Sequence, residues 1–173
     1  MRQNYAFIDW QNLHLGTRNE NWKVDIFKFR IYLRDKFSVT KAFYFLWCLD
    51  EDQQDLYNHL QEAGFIVVFR DHFKTQKWQK KGNVDTDIVF EMMKRFNEDI
   101  FDKVILVSWD WDYIKTVKWL IKKEKFEKVI FPNAQYSALY NSFVTKYGMN
   151  LSRPEIKEKI WYKAKEWELK LPI

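Results

Sequence analysis

Lys103-Val104-Ile105-Leu106-Val107-Ser108-Trp109-Asp110-Trp111-Asp112 is an apolar run that breaks directly into two carboxylates one residue apart. A short run of Val, Ile and Leu reads as a strand buried on both faces, as in a parallel sheet covered by helices. In such a sheet, ligands bind in the crevice beyond the carboxyl ends of the strands. Carboxylates gathered there repel one another unless a hard cation such as Mg²⁺ or Mn²⁺ takes up their charge. The stretch predicts an open α/β fold with metal-assisted chemistry at its edge.

Outward from this stretch, strand and helix signals alternate. Strands are expected at residues 5–9, 41–49, 65–70, 103–108 and 126–131, the last closed by Pro132-Asn133. A helix over 25–37 carries Ile26, Phe29, Leu33 and Phe37 on one stripe, with Asp25 as its N-cap. Another over 50–63 ends at Gly64, a natural residue just past a helix C-terminus. Helices are also expected over 85–97, 110–123, 135–147 and 154–169. The last carries Ile156, Ile160, Ala164 and Trp167 at helical spacing. Residues 71–83 are polar, basic and without period, which marks a long loop. The alternation predicts an α/β chain with a mainly parallel central sheet and helices on both faces. We divide it into a domain of residues 1–150 and a C-terminal helical extension, 151–173, packed on that domain. Strand order is not readable from the alternation.

The chain has 173 residues, enough for one domain with a sizeable core. Apolar residues make up 47% and charged residues 31%, which excludes a disordered chain. No apolar run reaches the roughly 20 residues of a membrane span. The first residues lead into a strand and lack the apolar core of a signal peptide. Cys48 stands alone, so a disulfide framework and a zinc knuckle are both excluded. A cytoplasmic location with no membrane partner is expected. The net charge of +5 favours an anionic partner. Lys74, Lys77, Lys80 and Lys81 stand just before an acidic segment, a basic lip suited to a polyanion; a plain solvated loop is the competing reading.

Each acidic segment has an ordinary structural explanation. Asp9 and Asn12 after a strand can be a turn and a helix cap. Asp85 can be an N-cap, with Asp87 and Glu91 favouring a helix dipole. Asp110 and Asp112 can cap the helix that follows them. Their coincidence argues otherwise, because an α/β fold brings three such strand ends or helix starts to one edge. Hydrolysis of a phosphodiester with one or two metals uses such a cluster.

Three blocks together resemble a known family. Phe7-Ile8-Asp9-Trp10-Gln11-Asn12-Leu13, Lys81-Gly82-Asn83-Val84-Asp85-Thr86-Asp87 and Leu106-Val107-Ser108-Trp109-Asp110-Trp111-Asp112-Tyr113 are similar to the signature blocks of the NYN domain. NYN domains are PIN-like nucleases near the LabA-like group, and Phe131-Pro132-Asn133 also fits. The resemblance runs in order over nearly the whole chain. It implies a three-layer, PIN-like α/β/α sandwich, Mg²⁺ or Mn²⁺ binding and endoribonuclease-type cleavage of RNA. By position it implies Asp9, Asp85, Asp110 and Asp112 as the catalytic, metal-binding acids and Asn12 as an accompanying catalytic residue. Asp87 would be an additional metal-binding acid. Ser108 matches the small polar residue opening the third block, and is expected with Lys74, Lys77, Lys80 and Lys81 on the RNA side.

The chain departs from the pattern at tryptophans. The family's third block usually reads Ser-Gly-Asp-Gly-Asp, and both glycines are tryptophan here, Trp109 and Trp111. Trp10 and Trp47 also stand where a glycine or another small residue is common. The composition is skewed the same way: 4 Gly against 9 Trp, where average usage gives about 12 Gly. Two readings compete. The rings stack on RNA bases, worth about 1–3 kcal/mol per base. Alternatively, UGA codons that some bacterial lineages read as glycine have been translated as tryptophan, with Trp78 a fifth candidate.

The expected activity is a metal-dependent ribonuclease acting on RNA. Its rival is a non-catalytic RNA-binding or regulatory module, favoured if the tryptophans block the site. A phosphotransferase with Asp9 as nucleophile ranks below both, because Gln11 stands where a second Asp is wanted. A nucleotide-binding fold lacks its Gly-rich loop. The oligomeric state stays open, a homodimer included.

Overall fold

All six residues of the first strand, β1 (Asn4–Asp9), are buried, as expected of a central strand covered on both faces. The computed structural model describes residues 3–47, 51–70, 84–136 and 138–163. Lys74, Lys77, Lys80, Lys81, Trp78 and the chain from 164 onward lie outside the described residues. After β1 come α1 (Trp10–Arg18), α2 (Ile26–Phe37), β2 (Val39–Leu46), α3 (Gln54–Glu62) and β3 (Ile66–Phe69). Then follow α4 (Val84–Asn97), β4 (Val104–Val107), α5 (Ile114–Lys122), β5 (Phe126–Phe131), α6 (Val144–Tyr147), β6 (Gly148–Asn150) and α7 (Pro154–Ile160).

The six strands form one sheet in the order β3-β2-β1-β4-β5-β6, and every neighbouring pair is parallel. Strand polarity alternates side chains between two cores. Ala6, Ile8, Ala42, Tyr44, Ile105 and Val107 pack with Leu13, Phe29, Leu33, Leu60, Ile156 and Ile160 from α1, α2, α3 and α7. Tyr5, Phe7, Phe43, Phe45, Val104 and Leu106 pack with Ile88, Met92, Val117 and Leu120 from α4 and α5. The expected α/β/α sandwich is the observed architecture. Its chain order reverses between β1 and β4, which opens a crevice beyond their carboxyl ends.

Several local expectations hold and others need correcting. Asp25 caps α2 by accepting the Lys28 N–H, and Gly64 takes the left-handed backbone, φ 88°, after α3. Helix α1 was not foreseen; Asp9 starts it by accepting the Asn12 N–H. The single helix expected over 135–147 is instead a 3-10 turn, Ala138–Tyr140, followed by the short α6. The Asn133 side chain accepts the Gln135 N–H and Tyr136 stacks on Phe131 at 4.2 Å, which hold this start away from helix. The three-residue β6 was also missed, being too short for an alternation signal. The final helix ends at Ile160, before the expected 169. Trp161 turns extended and forms an antiparallel bridge with Val24. The hydrogen bonds Asp25 N–H to Ile160 C=O, 2.8 Å, and Tyr162 N–H to Lys23 C=O, 2.9 Å, fix it there. No described helix is long and apolar enough to cross a membrane.

Candidate active site

Strands β1 and β4 are adjacent, with Ile8 opposite Val107. Asp9 therefore leaves the sheet beside Ser108, and the turn after β4 carries Asp110 and Asp112 to the same edge. Helix α4 arrives from the second face with Asp85 in its first turn. These acids, with Asn12, Trp47 and Trp109 among others, line an open pocket of about 360 Å³. One carboxylate oxygen from each of Asp85, Asp110 and Asp112 lies within 4.8 Å of the other two.

Hydrogen bonds fix each acid. Ser108 is fully buried, and its Oγ accepts the Asp110 N–H at 3.0 Å. Ser108 thus shapes the turn, and its buried hydroxyl is not presented to an RNA strand. Asp110 accepts the Asp112 N–H at 3.0 Å, so the cap and the cluster member are the same residue. Asp9 is 3% exposed and accepts from Asn12 N–H at 3.1 Å and Asn12 Nδ2 at 2.6 Å. The Asn12 Oδ1 in turn accepts the Trp109 N–H at 3.3 Å, tying the loop after β4 to α1.

Tyr113 is the residue the sequence reading passed over. It is fully buried and its hydroxyl reaches Asp9 Oδ2 at 3.3 Å and Asp85 Oδ1. A phenol between two carboxylates can donate to one at a time and holds both within reach. Tyr140, also fully buried, donates to the Asp110 backbone carbonyl at 2.5 Å. The signal for Tyr113 was its place directly after Asp112 in the third block. For Tyr140 there was none, since 30 residues separate it from its partner.

Burial raises the Asp9 carboxyl to about 6; the Asn12 N–H opposes this and the charge of Asp85 adds to it. Burial, then the charges of Asp9 and Asp85, push the Tyr113 phenol far above its ordinary range, so it stays protonated and serves as a donor. Tyr140 is raised by burial and by Asp110, Asp112 and Asp85. Asp87 does not join the three-acid cluster; its carboxylate faces Arg70 at 3.8 Å. Glu91 pairs with Arg95.

The donor set consists of carboxylate oxygens, with neither sulfur nor imidazole in the cluster. That chemistry fits a hard cation of the Mg²⁺ or Mn²⁺ type and disfavours a soft one. The tryptophans of the altered blocks also line up here. Trp47 and Trp109 wall the pocket, while Trp111 is 58% exposed beside it. None of Trp10, Trp47, Trp109 and Trp111 has a positive φ. A glycine at Trp47 or Trp109 would open access to the acids and is not required by backbone conformation, whereas Trp10 lines a cavity on the other side of α1.

The fold is similar to that of a Vibrio parahaemolyticus protein of unknown function known from a crystal structure. The TM-score is 0.73 at 17% identity, over 93% of this chain and 96% of that one. No curated protein matches the sequence. The NYN domain matches residues 5–145, which takes in all three acidic blocks and five of the six strands. The chain belongs to the NYN domain family.

Proposed function

We propose that this NYN domain is a metal-dependent ribonuclease, an endoribonuclease that hydrolyses RNA phosphodiesters with Mg²⁺ or Mn²⁺. The observation carrying this reading is the convergence of Asp85, Asp110 and Asp112 within 4.8 Å at the mouth of an open pocket. Three acids at that separation present convergent oxygen ligands to a divalent cation. They would hold it, with Asn12, Tyr113 and Tyr140 fixing the surrounding geometry. The bound cation supplies charge stabilisation to a phosphate oxygen and promotes ionisation of water.

Asp9 lines the same pocket from behind. It spends three hydrogen bonds on Asn12 and Tyr113, and a carboxylate has roughly four acceptor positions. The remaining one is suited to taking a proton from the attacking water. A carboxyl near 6 is well matched to proton transfer around neutral pH. The positive net charge supports a polyanionic substrate. Contacts of Lys74, Lys77, Lys80 and Lys81 with the RNA backbone remain part of this proposal; these residues lie outside the described ones.

The walls formed by Trp47 and Trp109 favour one second reading, an RNA-binding module whose acids are shielded from the phosphate. Labelled single-stranded and structured RNA, incubated with Mn²⁺, Mg²⁺ or EDTA, separates the two. A ribonuclease cleaves only with metal and loses cleavage in Asp110→Asn and Asp9→Asn. Asp110→Asn also weakens Mn²⁺ binding, whereas Asp9→Asn keeps it. Cleavage that survives EDTA and both substitutions defeats the proposal. Binding without cleavage, in the Trp47→Gly/Trp109→Gly variant as well, selects the module.

A further inference from the structure

Helix α1 walls two cavities. On one side Gln11, Asn12 and Leu15 face the acidic pocket. On the other, a cavity of about 460 Å³ is lined by Trp10, His14 and Arg18 of the same helix, together with Trp22, Lys23 and Tyr44 and apolar side chains between them. That volume lies in the range of small-molecule sites, roughly 300–1,000 Å³.

The chemistry of this second cavity is one-sided. Arg18 and Lys23 are exposed cations at its lining, and among the described residues that line it there is no carboxylate. The His14 imidazole registers the resulting field: burial, then Arg18 and Lys23, push its pKa down. It is stacked on Trp10 with ring centres 5.3 Å apart and planes 17° from parallel, a flat aromatic wall. Trp22, 3% exposed, has an Nε1–H with no acceptor among the described residues. A buried donor left unsatisfied costs about 1–3 kcal/mol, so an oxygen or nitrogen acceptor is favoured nearby. The Tyr44 phenol, raised first by burial and then by the charge of Asp9, places the cavity within electrostatic reach of the acidic site.

A planar face, polar acceptors and a negative charge are combined in a nucleotide. We propose that this cavity is a nucleotide subsite, with the base against the Trp10–His14 wall and a phosphate at Arg18 and Lys23. Extending the ribonuclease reading, its occupant is a nucleotide flanking the cleaved bond, carried over the N-terminal end of α1 from one pocket to the other. The cations and Trp22 stand apart from the four suspect tryptophans, so glycine at position 10 would remove one wall and leave the charge.

The test is a binding titration of metal-free protein, read by the Trp22 indole N–H resonance and by calorimetry. The probes are AMP, adenosine, inorganic phosphate and a five-nucleotide RNA. AMP and the RNA are expected to shift the Trp22 resonance and to compete with each other, while adenosine binds more weakly and phosphate leaves the resonance in place. Arg18→Ala and Lys23→Ala, both surface changes, each weaken AMP about tenfold through loss of a charged contact. Asp110→Asn leaves AMP binding unchanged. Equal affinity in wild type, Arg18→Ala and Lys23→Ala overturns the subsite, as does an AMP response confined to the acidic pocket. AMP binding without competition from the RNA overturns the flanking-nucleotide assignment. AMP and RNA binding that persist in a protein unable to cleave RNA would instead count against the ribonuclease reading alone.

Discussion

At the scale of single residues, the acids were legible and their supports were not. A carboxylate after a strand announces itself by position, whereas Tyr113 acts through a hydroxyl 104 residues from Asp9. Only the folded topology brings those two together. Tyr113→Phe removes the donor shared by Asp9 and Asp85 while keeping the ring in the core. Orienting partners of metal ligands typically contribute 10–100-fold to affinity, and Mn²⁺ affinity is expected to fall by about tenfold with the fold intact. Calorimetric titration beside a thermal melt checks this; unchanged affinity would remove Tyr113 from the site. The tryptophans are a question of the same scale. Reading the gene decides it: UGG at 10, 47, 109 and 111 makes all four genuine, with Trp47 and Trp109 as walls of the acidic pocket, while UGA in a lineage that reads it as glycine opens that pocket. In the second case Trp109→Gly restores the natural residue and raises metal-dependent cleavage.

At the scale of elements, long periodic segments were legible and short or locally determined ones were not. Helices α2 and α4 follow from stripes of apolar residues that now face the two cores. Helix α1 was missed because its nine residues carry few apolar side chains, and its start depends on the Asp9 cap. The early end of α7 is set by a partner, Val24, far away in sequence. Packing between α1 and the loop after β5 is close at Gly16. A Cβ there would meet Trp109 Cζ3 at 2.4 Å and Pro132 Cβ at 2.5 Å. Gly16→Ala is expected to destabilise the fold by about 1–3 kcal/mol, the usual cost of overpacking. Because Pro132 remains, adding Trp109→Gly recovers only part of that loss. Urea denaturation of the single and double variants measures both; full recovery would show that Trp109 alone sets the space at Gly16.

At the scale of the whole molecule, the sheet order could not be read from the alternation, yet it decides the chemistry, because only the β1–β4 adjacency brings the acidic blocks to one edge. At that edge Asp9 links folding to pH. The folded-state carboxyl of Asp9 is raised from 3.8 to about 6, chiefly by burial. Its protonated form is therefore favoured in the native state. The stabilisation this gives is fully present below about pH 4, falls as pH rises, and is gone above about pH 6. A shift of roughly two units corresponds to about 3 kcal/mol between the ends of that window. Metal-free protein is thus expected to lose stability from this group between pH 4 and 6. Asp9→Asn, whatever its constant offset, should flatten that part of the profile. Denaturation at closely spaced pH values tests it, and an equal slope in both proteins would show that Asp9 is not the group responsible. Cation binding adds a separate linkage, because a ligand that binds only the native state stabilises it. Mn²⁺ held by Asp85, Asp110 and Asp112 should raise the melting temperature, and Asp9→Asn should keep that rise while Asp110→Asn loses it.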